Sequence, residues 1–242
     1  MKAGSIEKIV NKIAVAMFAT PSVIKKAAEW GADLMIVHEP LYYNHYDNHS
    51  DEIVENAKRK LLEDSGITVY RYHDHPHAAK PDLIALGELK KLVFKGTVEY
   101  TDTFDLVRII LDKKIVVREL AKKVEDSLNL KHIRIAGCVD HPVKKIPCMF
   151  GTPGGMFDEL KNENCELLVT GEVCEWALCE YARDAAELGF AKAVFTLGHV
   201  GSERDGMESL AEQMQEHFSE IEVQYFECGE VYSYTDDKQS AI

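Results

Sequence analysis

The stretch AMFATPS at residues 16–22 returns as CMFGTPG at 148–154, and the segments that follow each copy match in the same order. ADLMIVHEP (32–40) has its counterpart in CELLVTGEV (165–173), and ITVYRYH (67–73) in AKAVFTLGH (191–199). Short apolar runs bounded by turn residues suit strands buried on both faces. Between them lie the helical patterns VIKKAAEWG and DEIVENAKRKLLEDSG in the first copy, and GGMFDELKNEN and CEWALCEYARDAAELG in the second. Strand, helix, strand, helix, strand written twice predicts an α/β fold made of two similar units with mixed, largely parallel sheets.

Local signals set the expected element ends. Thr20 and Thr152 are placed as helix N-caps, with Pro21 and Pro153 at the first helical positions and Gly31 as a C-terminal stop. Gly154 and Gly155 weaken the second-copy helix. Residues 95–143 fall outside the repeat, with strands at TFDLVRIIL and HIRIAGCV flanking the amphipathic helix VVRELAKKVEDSLNL. We place the unit boundary at 98, giving 1–98 and 99–242, with IEVQYFECG as a last strand that closes the fold and YTDDKQSAI as a fraying polar tail. Trp176 and Tyr181 are expected to pack within their helix rather than to form a substrate platform.

Composition excludes several classes. The net charge of −13, from 28 Lys and Arg against 41 Asp and Glu, opposes nucleic-acid binding in a chain without a basic cluster. KIAVAMFAT resembles a signal-peptide core, but its internal copy makes it a buried strand, and no apolar run reaches the length of a membrane helix. The six cysteines lack any CxxC pair and sit among apolar neighbours, which predicts reduced, buried thiols and a cytoplasmic protein rather than a disulfide scaffold.

Ligands bind outside the carboxyl ends of parallel strands. Those ends carry His38 and Glu39, then His73, Asp74, His75 and His77, and in the second copy Glu172 and His199. Ser202 is a candidate helix N-cap, and if that helix begins early His199 and Glu203, four apart, face one cation together. Three histidines and two carboxylates at the ends of one duplicated sheet form a coordination set for a divalent transition metal: Zn, Mn, Fe, Co or Ni. Alternation would align His73, His75 and His77, but Pro76 is expected to end the strand, leaving a loop that turns His77 back toward the site. His45 and His49 are expected at the surface.

ADLMIVHEPLYY, HDHPHAAKPDLIALGELKK, LLVTGEVCEWALCEYARD and above all LGHVGSERDGMESLAEQM resemble the Nif-three-like dinuclear metal centre family, often labelled type-two GTP cyclohydrolase I. The resemblance covers most of the chain. It implies two α/β domains with a metal site in the cleft between them and a toroidal homohexamer. By position, the family's first His-His falls on His38 and Glu39, its His-x-x-x-Asp on His73 and His77, and its late His and Glu on His199 and Glu203. A histidine has become Glu39 and an aspartate His77, so the formal charge of the set is unchanged, while the bridging role of the aspartate passes to Glu39 or Glu203. The family's opening Trp-Asp-Asn segment has no counterpart.

The metal candidates are therefore His38, Glu39, His73, His77, His199 and Glu203, holding one or two cations. Glu172 is a candidate general base or orienting group, and Asp74 and His75 are candidates for fixing imidazole tautomers. The expected function is a metal-dependent hydrolase acting on a small phosphoester or cyclic amide, with a non-catalytic metal-binding scaffold or partner-binding regulatory module as the alternative. HxH motifs also occur in amidohydrolases and metallo-β-lactamases, but the chain has neither the longer barrel of the first nor the His-x-His-x-Asp-His of the second.

Overall fold

The computed structural model describes residues 1–235 apart from 104, 153 and 155. The expected helix start at Pro153, Gly155 and the tail from 236 lie outside the described residues.

The first sheet begins with β1 (Lys12–Ala16), β2 (Leu34–Val37) and β3 (Thr68–Arg71), which run parallel side by side. Their alternation sorts the core: Ala14 and Ala16 face one layer, Ile13 and Val15 the other. Helices α1 (Pro21–Trp30) and α2 (Ile53–Ser65) cover the first of these faces through Val23, Ile24, Ala27 and Leu62. The start of α1 follows its sequence signal, since the Thr20 hydroxyl accepts from the Val23 N–H at 3.2 Å. Gly31 ends it in the left-handed region at φ 85°.

After β3 the chain departs from the expected strand end and loop. Asp74–Ala78 is a short helix, α3, and Pro76 sits in its first turn, where a missing N–H costs nothing. Helix α4 (Leu83–Lys91) follows, capped by the Asp82 carboxylate.

The second sheet has the order β4-β5-β7-β8-β9-β6. Its strands are β4 (Gly96–Tyr100), β5 (Val107–Val116), β6 (Arg134–Gly137), β7 (Pro142–Met149), β8 (Leu167–Thr170) and β9 (Ala193–Thr196). Strands β7, β8 and β9 are parallel and repeat the β1-β2-β3 arrangement, while β4, β5 and β6 add antiparallel pairs. Helix α5 (Val117–Leu128) packs Val117, Leu120 and Val124 against one face. On the other lie α6 (Met156–Lys161) and α7 (Glu180–Glu187), the latter entered through a π-helical turn at Glu175–Cys179.

Two second-copy expectations change. Helix α6 starts four residues beyond Thr152, so Thr152 does not cap it and bonds Glu172 instead. Tyr181 packs on Phe157 with ring centroids 5.3 Å apart, but Trp176 is 81% exposed and packs in no core cluster.

The last elements cross back. Helix α8 (His199–His217) leaves β9 yet buries Met207 and Ala211 against Ile13, Val15 and Met17 of the first sheet. Strand β10 (Glu222–Tyr225) then pairs in parallel with β1 as its outer neighbour. This crossing carries the start of α8 from the end of β9 to the end of β2. Gly206 of α8 touches α4 at Gly87, where a Cβ on either glycine would run into the opposing backbone. Ser202 is not the N-cap: α8 begins at His199, and the Ser202 hydroxyl donates to the His199 carbonyl at 2.9 Å.

Of the cysteines, Cys148 and Cys165 are buried, Cys138, Cys179 and Cys228 are half-buried and Cys174 is exposed; all six are free thiols. Among the described residues no helix is long and apolar enough to cross a membrane.

Candidate metal centre

His38 and Glu39 follow β2, His73 precedes α3 and His77 lies within it, and His199 and Glu203 open α8, where a spacing of four sets them on one face. The six side chains converge. His38 Nε2 lies 3.0 Å from His77 Nε2 and 3.7 Å from Glu203 Oε2. His77 Nε2 lies 3.6 Å from Glu203 Oε1. His199 Nε2 is 3.0 Å from Glu39 Oε1 and 3.1 Å from Glu203 Oε2, and His73 Nε2 is 3.4 Å from the same Glu39 oxygen. His38 and Glu203 are almost wholly buried, while His73 and His199 keep one edge open to solvent.

All four imidazoles point Nε2 inward, and each Nδ1 is engaged from behind. His38 Nδ1 meets the Tyr72 carbonyl at 3.1 Å, and His73 Nδ1 meets Asp74 Oδ1 at 2.7 Å. His77 Nδ1 meets Asp82 Oδ2 at 2.9 Å, with Asp105 Oδ1 at 3.3 Å. His199 Nδ1 meets Glu172 Oε1 at 3.2 Å and Thr152 Oγ1 at 3.4 Å. A carbonyl or carboxylate can only accept, so it holds the proton on Nδ1 and presents Nε2 as a lone-pair donor.

Electrostatics agree with a cation-shaped site. Burial holds the His38 imidazole down at about 4, against the pull of Glu203 and Glu39. Burial opposes charge on His199 too, but hydrogen bonds to Glu172, Glu203 and Glu39 push it up to about 12. His77 is likewise desolvated, yet Asp82, Glu203 and Asp105 raise it to about 9. Burial would raise the Glu39 carboxyl; its bonds to His199 and His73 outweigh that and hold it well below the usual range. Protons on His77 and His199 thus neutralise carboxylates that a divalent cation can neutralise in their place.

The donor set fits a metal. The groups His38, His73 and His77, and His38, Glu39 and Glu203, each bring ligand atoms within 4.8 Å of one another. Glu203 Oε2 is buried with no well-aligned hydrogen bond among the described residues, so its charge is met by the His199 imidazolium 3.1 Å away or by a cation in its place. Imidazole with carboxylate suits Zn, Mn, Fe, Co or Ni.

The other candidates take distinct places. Glu172 is half-exposed, held between His199 and Thr152, and its carboxyl is drawn down to about 2 by the His199 bond against burial. It lines a cavity of about 560 Å³ with Phe157, Val173, Ala177 and Leu178. Asp74 backs His73, whereas His75 is exposed and stacks on Tyr72 at 6.0 Å, away from the cluster. His45 and His49 are exposed, though the His45 ring approaches His73 at 6.1 Å.

Sequence reasoning missed Asp82 and Asp105. Asp82 carries a local signal as the cap before LIALGELKK, and its Oδ1 accepts from the Ile84 and Ala85 N–H groups at 2.8 and 3.0 Å. Asp105 carries none: it reaches His77 only through the fold, from a left-handed residue at φ 57°.

The profile of the family described as Duf34/NIF3 (NGG1p interacting factor 3) matches residues 1–230. The chain is 25% identical over 225 residues to a protein named GTP cyclohydrolase 1 type 2 homolog from Clostridium perfringens, covering 90% of this chain and 84% of that one. To the protein of the same name from Pyrococcus horikoshii it is 27% identical over 213 residues, covering 86% and 81%. Among solved structures, protein ybgI, described as of unknown function, superposes with a TM-score of 0.76 at 21% identity, over 94% of this chain and 90% of that one. Reduced HcgD from Methanocaldococcus jannaschii superposes at 0.69 with 22% identity, over 93% and 86%. These structural likenesses speak for the fold alone; with the family profile matched from residue 1 to 230, the chain belongs to the Duf34/NIF3 family.

Proposed function

We propose that the protein is a metal-dependent hydrolase of a small molecule, a phosphoester or a cyclic amide, with one or two divalent transition-metal ions held by His38, Glu39, His73, His77, His199 and Glu203. One observation carries the reading: four imidazoles present Nε2 to a common space beside two carboxylates, with every Nδ1 already engaged. Such orientation from behind is what a ligand set needs and what a hydrogen-bonded core histidine does not. When bound, the metal supplies Lewis-acid polarisation of a phosphoryl or carbonyl oxygen and acidifies water.

The chain's own residues do the rest. Glu39 and Glu203 would bring the negative charge that balances a divalent ion, and Glu203 lies toward His38 and His199 through Oε2 and toward His77 through Oε1. Glu172 orients His199 and stands charged on the wall of the neighbouring cavity, where a substrate can lie with its reacting end beside the Glu172–His199 pair. Phe157, Val173 and Leu178 give that wall an apolar stretch on which an apolar part of the substrate would rest.

We place the protein in the cytoplasm as a homohexamer, on the family resemblance and on six free cysteines. Elemental analysis of the purified chain, followed by a phosphoester and cyclic-amide panel run with the metal found, tests the reading. Metal content that falls in both His199→Ala and His77→Ala, with turnover that follows it, supports a hydrolase. Metal binding without turnover on any panel member would move the assignment to a metal-binding scaffold.

A further inference from the structure

His38 and His77 face each other through Nε2, yet their other nitrogens meet different chemistry. His38 Nδ1 meets one neutral acceptor, the Tyr72 carbonyl at 3.1 Å. His77 Nδ1 meets two carboxylates, Asp82 at 2.9 Å and Asp105 at 3.3 Å. Neither carboxylate has a stronger partner drawing it away on that side: Asp82 uses Oδ1 for the α4 cap and keeps Oδ2 for the ring. Asp105 Oδ1 is buried with no hydrogen-bond partner among the described residues, so it acts on Nδ1 as a nearby charge beside the Asp82 hydrogen bond. His77 is itself only 5% exposed and Asp82 10%, so water screens their contact little, whereas Asp105, 23% exposed on the wall of a cavity of about 370 Å³, is screened more.

A carboxylate behind an imidazole pulls the Nδ1 proton toward itself, and the electron density this leaves on the ring makes Nε2 the stronger donor. Two carboxylates on one ring do this more than one carbonyl does. We infer that Asp82 and Asp105 are positioning residues that give His77 imidazolate character, so that the two facing histidines are unequal donors and His77 anchors the cation first. The inference rests on the metal-dependent reading above.

Asparagine variants separate charge from shape. Asn caps helices as well as Asp does, so Asp82→Asn keeps the α4 cap. Asn also tolerates the left-handed region, so Asp105→Asn keeps the backbone at 105. Metal affinity is measured on the full chain by competition with a chromogenic Zn chelator, and Co(II) spectra report the ligand field. Each variant is expected to bind Zn about 10- to 100-fold more weakly. The Co(II) bands should shift while stoichiometry stays at the wild-type value, and the circular dichroism of the metal-free protein should show the fold retained.

The effect must travel through the ring. In a His77→Gln background, Asp105→Asn should change Zn affinity less than about twofold, as a double-mutant cycle requires of an indirect contact. A loss that persists in that background overturns the inference, as does unchanged affinity in both single variants. Reduced stoichiometry would overturn it too, by making the aspartates ligands. If the wild-type chain binds no metal at all, the functional reading fails first. The ¹⁵N spectrum of the His77 ring still tests the contact, because its nitrogen shifts should move on Asp105→Asn in metal-free protein and would stay put if the carboxylate does not act on the ring.

Discussion

His38 Nε2 and His77 Nε2 lie 3.0 Å apart, each backed by an acceptor that holds a proton on the far nitrogen. Two bare nitrogen lone pairs at that distance repel, so the contact is favourable only with a proton or a cation between them. His38→Ala and His77→Ala should therefore each lower Zn or Mn affinity at least 100-fold. His49→Ala, in an exposed loop against Tyr42, should leave it unchanged. Calorimetric titration of the three variants checks this.

Metal binding should release protons. His77 titrates at about 9 and His199 at about 12, both raised by carboxylates despite burial, whereas burial keeps His38 at about 4 and so already neutral at pH 7. A cation that takes Nε2 of His77 and His199 displaces about two protons below pH 9 and about one between 9 and 12. Affinity should accordingly rise with pH, by up to about two log units per pH unit from 6 to 8. Titration heats in buffers of different ionisation enthalpy give the count directly; a count near zero would mean these rings do not join the metal.

Glu88 predicts a pH effect on the stability of the metal-free fold. It is fully buried on α4, its Oε1 accepts the Asp205 N–H at 2.8 Å, and Oε2 has no partner among the described residues. Burial, with the nearby Asp205 charge, holds its carboxyl well above the ordinary value. A raised acid contributes its stability below the unfolded value near 4.5 and loses it as pH climbs through the folded value. Glu88→Gln keeps the acceptor and removes the ionisation. Urea unfolding should find the variant more stable than wild type at pH 8 and similar to it at pH 4.5.

The crossing of α4 and α8 is intolerant of a single methyl. A Cβ on Gly206 would stand 2.6 Å from Ile84 Cα and 2.8 Å from its carbonyl oxygen, and backbone atoms cannot swing aside. Gly206→Ala should destabilise the fold by about 1–3 kcal/mol, the usual range for overpacking. Because α8 carries His199 and Glu203, metal affinity should fall with stability. Chemical denaturation and metal titration on one preparation test both.

Cavity filling tests whether this space holds the substrate. Ala177 lines the space beside Glu172 and is not one of the metal candidates. Ala177→Trp should abolish turnover on the active panel member while leaving bound metal at wild-type content. Retained turnover would place the substrate elsewhere.

What the chain spells out locally, it also folds into. The Thr20 cap, the Gly31 stop, the apolar runs of β1, β2, β7 and β8 and their duplicated order were all readable, because each depends on a handful of neighbouring residues. His38, Glu39, His199 and Glu203 were readable for the same reason, as polar residues at strand ends or four apart on one helix. The tertiary structure decided the rest. Pro76 could as well have ended a strand as sat in the first turn of α3, and only packing chose the helix that turns His77 inward while His75 stays out on Tyr72. Glu172 and Asp105 reach His199 and His77 from distant parts of the chain, across separations that no local propensity encodes. Most decisive is α8, which leaves the second sheet and packs on the first, because its Met207 and Ala211 bury against Ile13 and Met17 and thereby close the gap between Glu39 and His199.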